Sequence, residues 1–336
     1  MKILITGSQG FVGSYLCEEF LKRDYEVVGV DNFSKYGPMT RSHDTNQNFT
    51  LYELDIAQKP KKFYKICKKE APDIIIANAA IIGGISLFHK LAYDLMATNE
   101  RILASTFDAA IKLYQKGILH KIVVMSSSMV FENTNKYPTK ESDLTKCPPP
   151  SSTYGFQKLA SEYFAKGAFE QYGLPYLIIR PFNCVGVGED DAISDHEEKS
   201  GNIKLMMSHV LPDLINKCLK GQSPLRILGE GNQIRCYTNG KDLARGVRMA
   251  IESEIVNDDF NISIPEPTTV LELAEKIWNK INPDVPFEYE CDTPYTYDVQ
   301  KRIPCTEKAT KLLNFTASID IDQSIDEVIA YCKEKL

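Results

Sequence analysis

Along the first half of the chain, short apolar runs alternate with longer stretches of helical periodicity. Ile3–Ile5, Glu26–Val30, Phe49–Leu54, Asp73–Ala77, Lys121–Met125 and Tyr176–Arg180 read as buried parallel strands. Between them, Phe11–Arg23, Lys61–Glu70, Ala97–Lys116 and Ser152–Tyr172 read as helices. Ile102, Leu103, Phe107, Ala110, Ile111 and Tyr114 mark the apolar side of the third. Strand and helix at this spacing predict an α/β fold, a doubly wound parallel sheet of the Rossmann type. After Pro181 the pattern breaks into shorter pieces. A polar loop (Gly186–Gly201) is followed by helices at His209–Lys220, Asp242–Glu252, Val270–Lys280 and Ile325–Lys335, with strands at Leu225–Leu228 and Phe260–Ile264. The expected division is 1–183 for the sheet and 184–336 for a smaller α/β region, with some chain crossing back.

The first strand runs directly into Gly7, Gly10 and Gly13, spaced G-x-x-G-x-x-G, with Phe11 and Val12 opening the helix. Strand, glycine turn and helix in that order predict a dinucleotide site: backbone passes close to a pyrophosphate whose charge meets the helix N–H groups. Asp31 closes the second strand eighteen residues after Gly13. A carboxylate there accepts ribose hydroxyls and repels a 2′-phosphate, and no arginine is expected nearby to relieve that repulsion, so the cofactor expected is NAD.

Composition narrows the partners. The 336 residues carry a net charge of −6, with 43% hydrophobic and 25% charged residues, which gives no electrostatic footprint for nucleic acid or an anionic membrane. The basic run Lys59–Lys69 has helical spacing and reads as a solvated helix face. Nine scattered cysteines, an odd number with no C-x-x-C pair, argue against a disulfide framework and a zinc site, and no metal is expected. Met1 leads straight into the first strand and no apolar run reaches membrane-spanning length, so the expected location is cytoplasmic.

Tyr154 and Lys158 are four apart and share one helix face. A lysine ammonium beside a phenol lowers its pKa from about 10 toward neutrality, yielding a base for a sugar hydroxyl. Ser127, at the end of the fifth strand, would stand at the same sheet edge and hydrogen-bond the reacting oxygen.

Glycine turn, Asp31, Ser127 and Y-x-x-x-K in this order resemble the extended short-chain dehydrogenase/reductase family. Within it the chain is similar to the nucleotide-sugar epimerases and dehydratases, the group typified by UDP-glucose 4-epimerase. The similar segments span the chain: TGSQGFVG, Leu54–Ile56, Asn78–Ala80, Asn99, Ser126–Phe131, Tyr154–Lys158, Arg180–Asn183 and Gly231–Gly246. The resemblance implies that Asp55 and Ile56 flank the adenine and Lys158 holds the nicotinamide ribose. It adds Phe11, Val12, Asn32, Ala79, Asn99, Tyr154 and Pro181 to the cofactor contacts. Ser127, Met129, Asn183 and Arg235 would meet a nucleotide-diphosphate sugar, the last two at its diphosphate. It also implies a homodimer through a four-helix interface, for which Phe107, Tyr114, Phe164 and Phe169 offer apolar surface.

Departures from the family pattern select among its reactions. The 4,6-dehydratases carry Asp-Glu where Ser128 and Met129 stand; decarboxylating members place a glutamate, and 3,5-epimerising members a cysteine, where Met129 stands. What remains is hydride transfer: removal of the 4-hydroxyl proton by Tyr154, oxidation to a 4-keto sugar, and return of the hydride to the other face. The expected activity is therefore a nucleotide-sugar 4-epimerase. A 4-dehydrogenase or 4-keto reductase using the same residues, and a non-catalytic dinucleotide-sensing regulator, are the alternatives. An arginine common among UDP-sugar epimerases is replaced by Tyr295, with Lys301 and Arg302 shortly after, which leaves the nucleotide open.

Overall fold

The computed structural model describes residues 1–82, 91–189, 209–293 and 299–335. Tyr295 and most of the Gly186–Gly201 loop lie outside the described residues.

The first six strands are β1 (Lys2–Thr6), β2 (Glu26–Asp31), β3 (Phe49–Glu53), β4 (Ile74–Ala77), β5 (Lys121–Met125) and β6 (Tyr176–Pro181). They are joined by a seventh, β7 (Asp258–Ile262), in a parallel sheet of order β7-β6-β5-β4-β1-β2-β3. Their apolar runs are continuous because both faces are covered: Ile3, Leu4, Ile5, Ile75 and Ile76 are fully buried. On one face lie α1 (Phe11–Leu21) and the helix Gly240–Glu252, packing Leu16, Phe20, Leu243 and Val247 against the strands. On the other lie α2 (Pro60–Glu70), α3 (Ala92–Tyr114) and α4 (Thr153–Tyr172), through Phe63, Leu103, Phe107 and Ala165. In α2 only Phe63, Ile66 and Cys67 are buried, so its lysines form the solvated face expected.

Strand order reverses between β1 and β4, which opens a crevice beyond their carboxyl ends, where Gly7 and Asn78 lie. The C-terminal region covers it with its own core, including Leu211, Leu214, Ile215, Leu273, Ile277 and Trp278.

Boundaries moved where tertiary contacts outweigh local pattern. Helix α3 starts at Ala92 rather than Ala97, because Leu95 in its first turn is buried. The strand expected at 260–264 occupies 258–262, with Phe260 opposite Ile179 of β6. The two- to four-residue strands at 184–185, 234–236, 238–239, 267–269 and 289–292, and the helix Glu307–Leu313, have no periodicity long enough to read. All nine cysteines are free thiols.

Tyr15 of α1 joins the two regions. A Cβ at Gly186 would lie 2.4 Å from its hydroxyl, and one at Gly240 would lie 2.4 Å from its ring.

Candidate active site

A cleft of about 710 Å³ runs along the carboxyl edge of the sheet, between it and the C-terminal region. Its floor begins with the glycine turn. Gly7 has φ +71°, the left-handed region, and a Cβ there would come within 2.9 Å of the Ala79 Cα. A Cβ on Gly13 would lie 1.9 Å from the Gly7 carbonyl oxygen, so the turn closes only with glycine at 13. Thr6 fixes the opposite wall: its hydroxyl accepts from the N–H groups of Asn78 (3.1 Å) and Ala79 (3.0 Å). Helix α1 therefore points its N-terminus into the cleft, with Gly10 as N-cap, no side chain capping it and no acid in its first turn. That donor set suits a phosphate.

Asp31 stands at the end of β2 on the rim. Its carboxylate accepts from the N–H groups of Gln9 (2.9 Å) and Phe33 (2.8 Å). Burial raises its pKa, while those N–H groups and the Arg41 charge oppose the rise. Arg41 corrects the expectation that no arginine lies nearby. Its guanidinium donates instead to the carbonyls of Gln9 (2.9 Å) and Gly188 (3.4 Å) and stacks over Tyr36. The sequence gap of ten residues hid it, because the 32–48 loop folds back over α1. Since Arg41 is already engaged with two carbonyls, Asp31 sets the preference. Isothermal titration is expected to give tighter binding of NAD(H) than of NADP(H); equal or tighter NADPH binding would refute this.

At the other end of the cleft, β5 delivers Ser126 and Ser127 to the sheet edge and α4 brings Tyr154 and Lys158 beside them. Ser152 caps α4 by accepting from the Gly155 N–H at 3.0 Å. Tyr154 and Lys158 are 4% and 7% exposed. Tyr154 and Ser127 line the same stretch of the cleft, and the Ser127 Oγ accepts from the Met129 N–H at 3.1 Å. Lys158 Nζ donates to the Met125 carbonyl at 2.9 Å and lies 5.9 Å from the centre of the Tyr154 ring.

The electrostatics differ from the sequence expectation. Burial pushes the Tyr154 phenol up to about 12, opposed by the nearby Ser127 hydroxyl and by Arg302, not by Lys158. Burial also takes Lys158 down to about 8. Both side chains have left water, so desolvation outweighs any Lys158 effect.

Gly10, Phe11, Val12, Asn32, Asp55, Ile56, Met129, Pro181, Asn183 and Arg235 also line the cleft. Asn99 does not. It is buried in α3, with its amide spent on the Ile81 peptide, accepting from its N–H (2.7 Å) and donating to its carbonyl (3.0 Å). Asn183, at φ +37°, donates to the Cys236 carbonyl and accepts from Arg302 at 3.4 Å. Arg302 reaches the cleft because residues 300–302 pair with Ile234, next to Arg235. No local pattern signals that pairing, and sequence reasoning assigned Arg302 no role.

The sequence matches the NAD dependent epimerase/dehydratase family over residues 3–263. The chain belongs to that family. A UDP-N-acetyl-alpha-D-glucosaminuronate decarboxylase of Bacillus cytotoxicus is 26% identical, over 99% of this chain and 98% of that protein. A putative UDP-glucose 4-epimerase of Methanocaldococcus jannaschii is 28% identical, over 98% of each. Among solved structures, UDP-glucose 4-epimerase of Thermotoga maritima, determined with UDP-glucose, superposes with a TM-score of 0.83 at 25% identity, covering 100% of this chain and 99% of that one. As an enzyme of the NAD-dependent epimerase/dehydratase family, the protein uses NAD. The glycine turn, the open N-terminus of α1 and Asp31 fit that dinucleotide.

Proposed function

We propose that the protein is a 4-epimerase of nucleotide-diphosphate sugars. The observation that carries this reading is that Tyr154 and Ser127 line one cleft at the sheet edge, with Met129 as the adjoining cleft residue. The pair can move a proton, whereas the thioether of Met129 has no acid or base to add for elimination or decarboxylation. NAD, when bound, supplies a hydride acceptor and a cationic nicotinamide. The glycine turn and Asp31 would hold its pyrophosphate and ribose, and Lys158 its nicotinamide ribose. Tyr154 takes the proton of the sugar 4-hydroxyl, with Ser127 bridging, and returns it once the sugar has turned. Arg302 favours the phenolate this requires. Asn183 and Arg235 keep hold of the diphosphate while the sugar turns; a guanidinium fork suits phosphate oxygens.

The test is incubation of the purified protein with a panel of nucleotide-diphosphate hexoses and no added cofactor. Formation of a C4 epimer supports the reading. A requirement for stoichiometric NAD or NADH identifies a 4-dehydrogenase or 4-keto reductase instead, and carbon dioxide release from a uronate identifies a decarboxylase.

The assembly we propose is a homodimer through α3 and α4, on an apolar set that shares Phe169 with the one expected but not Phe107 or Phe164. Phe107 is buried against Phe164, their ring centres 5.8 Å apart, and both serve the chain's own core. The large apolar groups these helices expose are Tyr93, Phe156, Tyr163, Phe169 and Tyr172. Light scattering should give a dimer that Tyr163→Asp with Phe156→Asp dissociates; a monomeric parent protein would refute it.

A further inference from the structure

Ser127 and Tyr154 come from different elements, and proton transfer depends on their staying in contact. Ser127 begins a tight 3₁₀ turn, Ser128–Phe131, in which its carbonyl accepts from the Val130 N–H and its hydroxyl from the Met129 N–H. The turn ends at Glu132, whose N–H donates to the Met129 carbonyl at 3.1 Å. Ser127 and Glu132 are therefore two ends of one hydrogen-bonded unit.

The Glu132 carboxylate reaches across to the start of α4. Its Oε2 accepts from the Ser152 N–H at 3.1 Å and from the Ser152 hydroxyl at 2.8 Å. The same hydroxyl accepts from Gly155 N–H, so the carboxylate holds the cap of the helix, at its electropositive end. The approach is as close as glycine allows: a Cβ on Gly155 would lie 2.8 Å from Glu132 Oε2 and 2.9 Å from the Met129 carbonyl oxygen. Lys158 ties the second turn of α4 to β5, but Tyr154 is in the first turn, which Glu132 holds.

We propose that Glu132 is a positioning residue: its carboxylate ties the first turn of α4 to the serine turn and so keeps Tyr154 against Ser127. The proposal rests on the reading of Tyr154 as the proton-transferring group. Glu132–Ser152 joins the serine turn to the first turn of α4, so loosening that link lets Tyr154 move away from Ser127.

Glu132→Ala and Glu132→Gln test it, with turnover, KM, NAD affinity, thermal stability and the pH profile measured on each. An amide oxygen can accept both Ser152 donors, so Glu132→Gln should retain most activity. Glu132→Ala should lose about 10- to 100-fold in kcat, the cost of a small misplacement, with KM and NAD affinity little changed. Its base limb should move to higher pH, because the nearby Ser127 hydroxyl opposes the effect of burial on Tyr154. Removing a nearby negative charge alone would move that limb the other way, an effect Glu132→Gln isolates. Parent-like kcat and pH profile in Glu132→Ala, whatever its melting temperature, would overturn the proposal, as would equal impairment of both variants. If the parent turns over no nucleotide sugar, the functional reading fails, but ultraviolet difference titration against Tyr154→Phe still reads the phenol. An unshifted phenol in Glu132→Ala would then overturn the positioning role. Should Glu132→Ala fail to fold, Ser152→Ala, which keeps the backbone donor, should reproduce the shift in smaller measure; an unshifted profile there counts against the proposal.

Discussion

The Tyr154→Phe protein should fold and bind NAD like its parent yet turn over its nucleotide sugar about 10²- to 10⁴-fold more slowly, the usual contribution of a general base. The ring is buried among Leu95, Met129 and Val299, and phenylalanine keeps that packing. Only the hydroxyl is lost, and Ser127 still holds the Met129 N–H. The measurement pairs single-turnover kinetics on the true substrate with NAD titration and a melting curve. Near-normal turnover would defeat the mechanism and favour a dinucleotide-sensing regulator.

The largest effect on stability should come from Arg180→Met. Arg180 is fully buried beneath the catalytic end of the sheet. It donates to both Glu162 oxygens (2.8 and 2.7 Å) and to Asp259 (2.6 Å). Glu162 is likewise fully buried and also accepts from Ser126 at 2.7 Å. Methionine fills similar volume but strands the Glu162 carboxylate without its cation, and breaking such a pair costs about 3–5 kcal/mol. Against the roughly 5–15 kcal/mol that holds most domains together, this is a large share. Urea denaturation of the variant checks it, and adding Glu162→Gln should recover part of the loss. A change below about 1 kcal/mol would put the pair in the class of surface ion pairs.

What was legible in the sequence was what local pattern encodes. Ile3–Ile5 followed by Gly7, Gly10 and Gly13 needs no distant partner to be read, because the glycines are demanded by contacts within the turn itself and by Ala79 across the crevice. Tyr154 and Lys158 are placed by one helix, and Ser127 by the strand that ends before it. The groups that went unread are brought in by long-range folding. Arg302 enters through pairing of residues 300–302 with Ile234, and Arg41 through a loop returning over α1. Glu132 acts on Ser152, twenty residues on, across a turn too short to have a periodicity. Asn99 shows the same limit: a resemblance attaches it to the cofactor, while folding places its side-chain amide on the Ile81 backbone. Spacing also says that Tyr154 and Lys158 share a face but not how far both have been withdrawn from water.

The seventh strand of the sheet, β7, is supplied by residues 258–262, long after β6 ends at Pro181. The helix Gly240–Glu252 beside it buries Leu243, Val247 and Ile251 in the same core as Phe20 of α1. The C-terminal region is therefore not a detachable module. Exchanging it wholesale for that of a relative would strip an edge from the sheet and a layer from its flank. Changes of specificity in this architecture are thus confined to substitutions around the cleft and to the lengths of the loops that cover it.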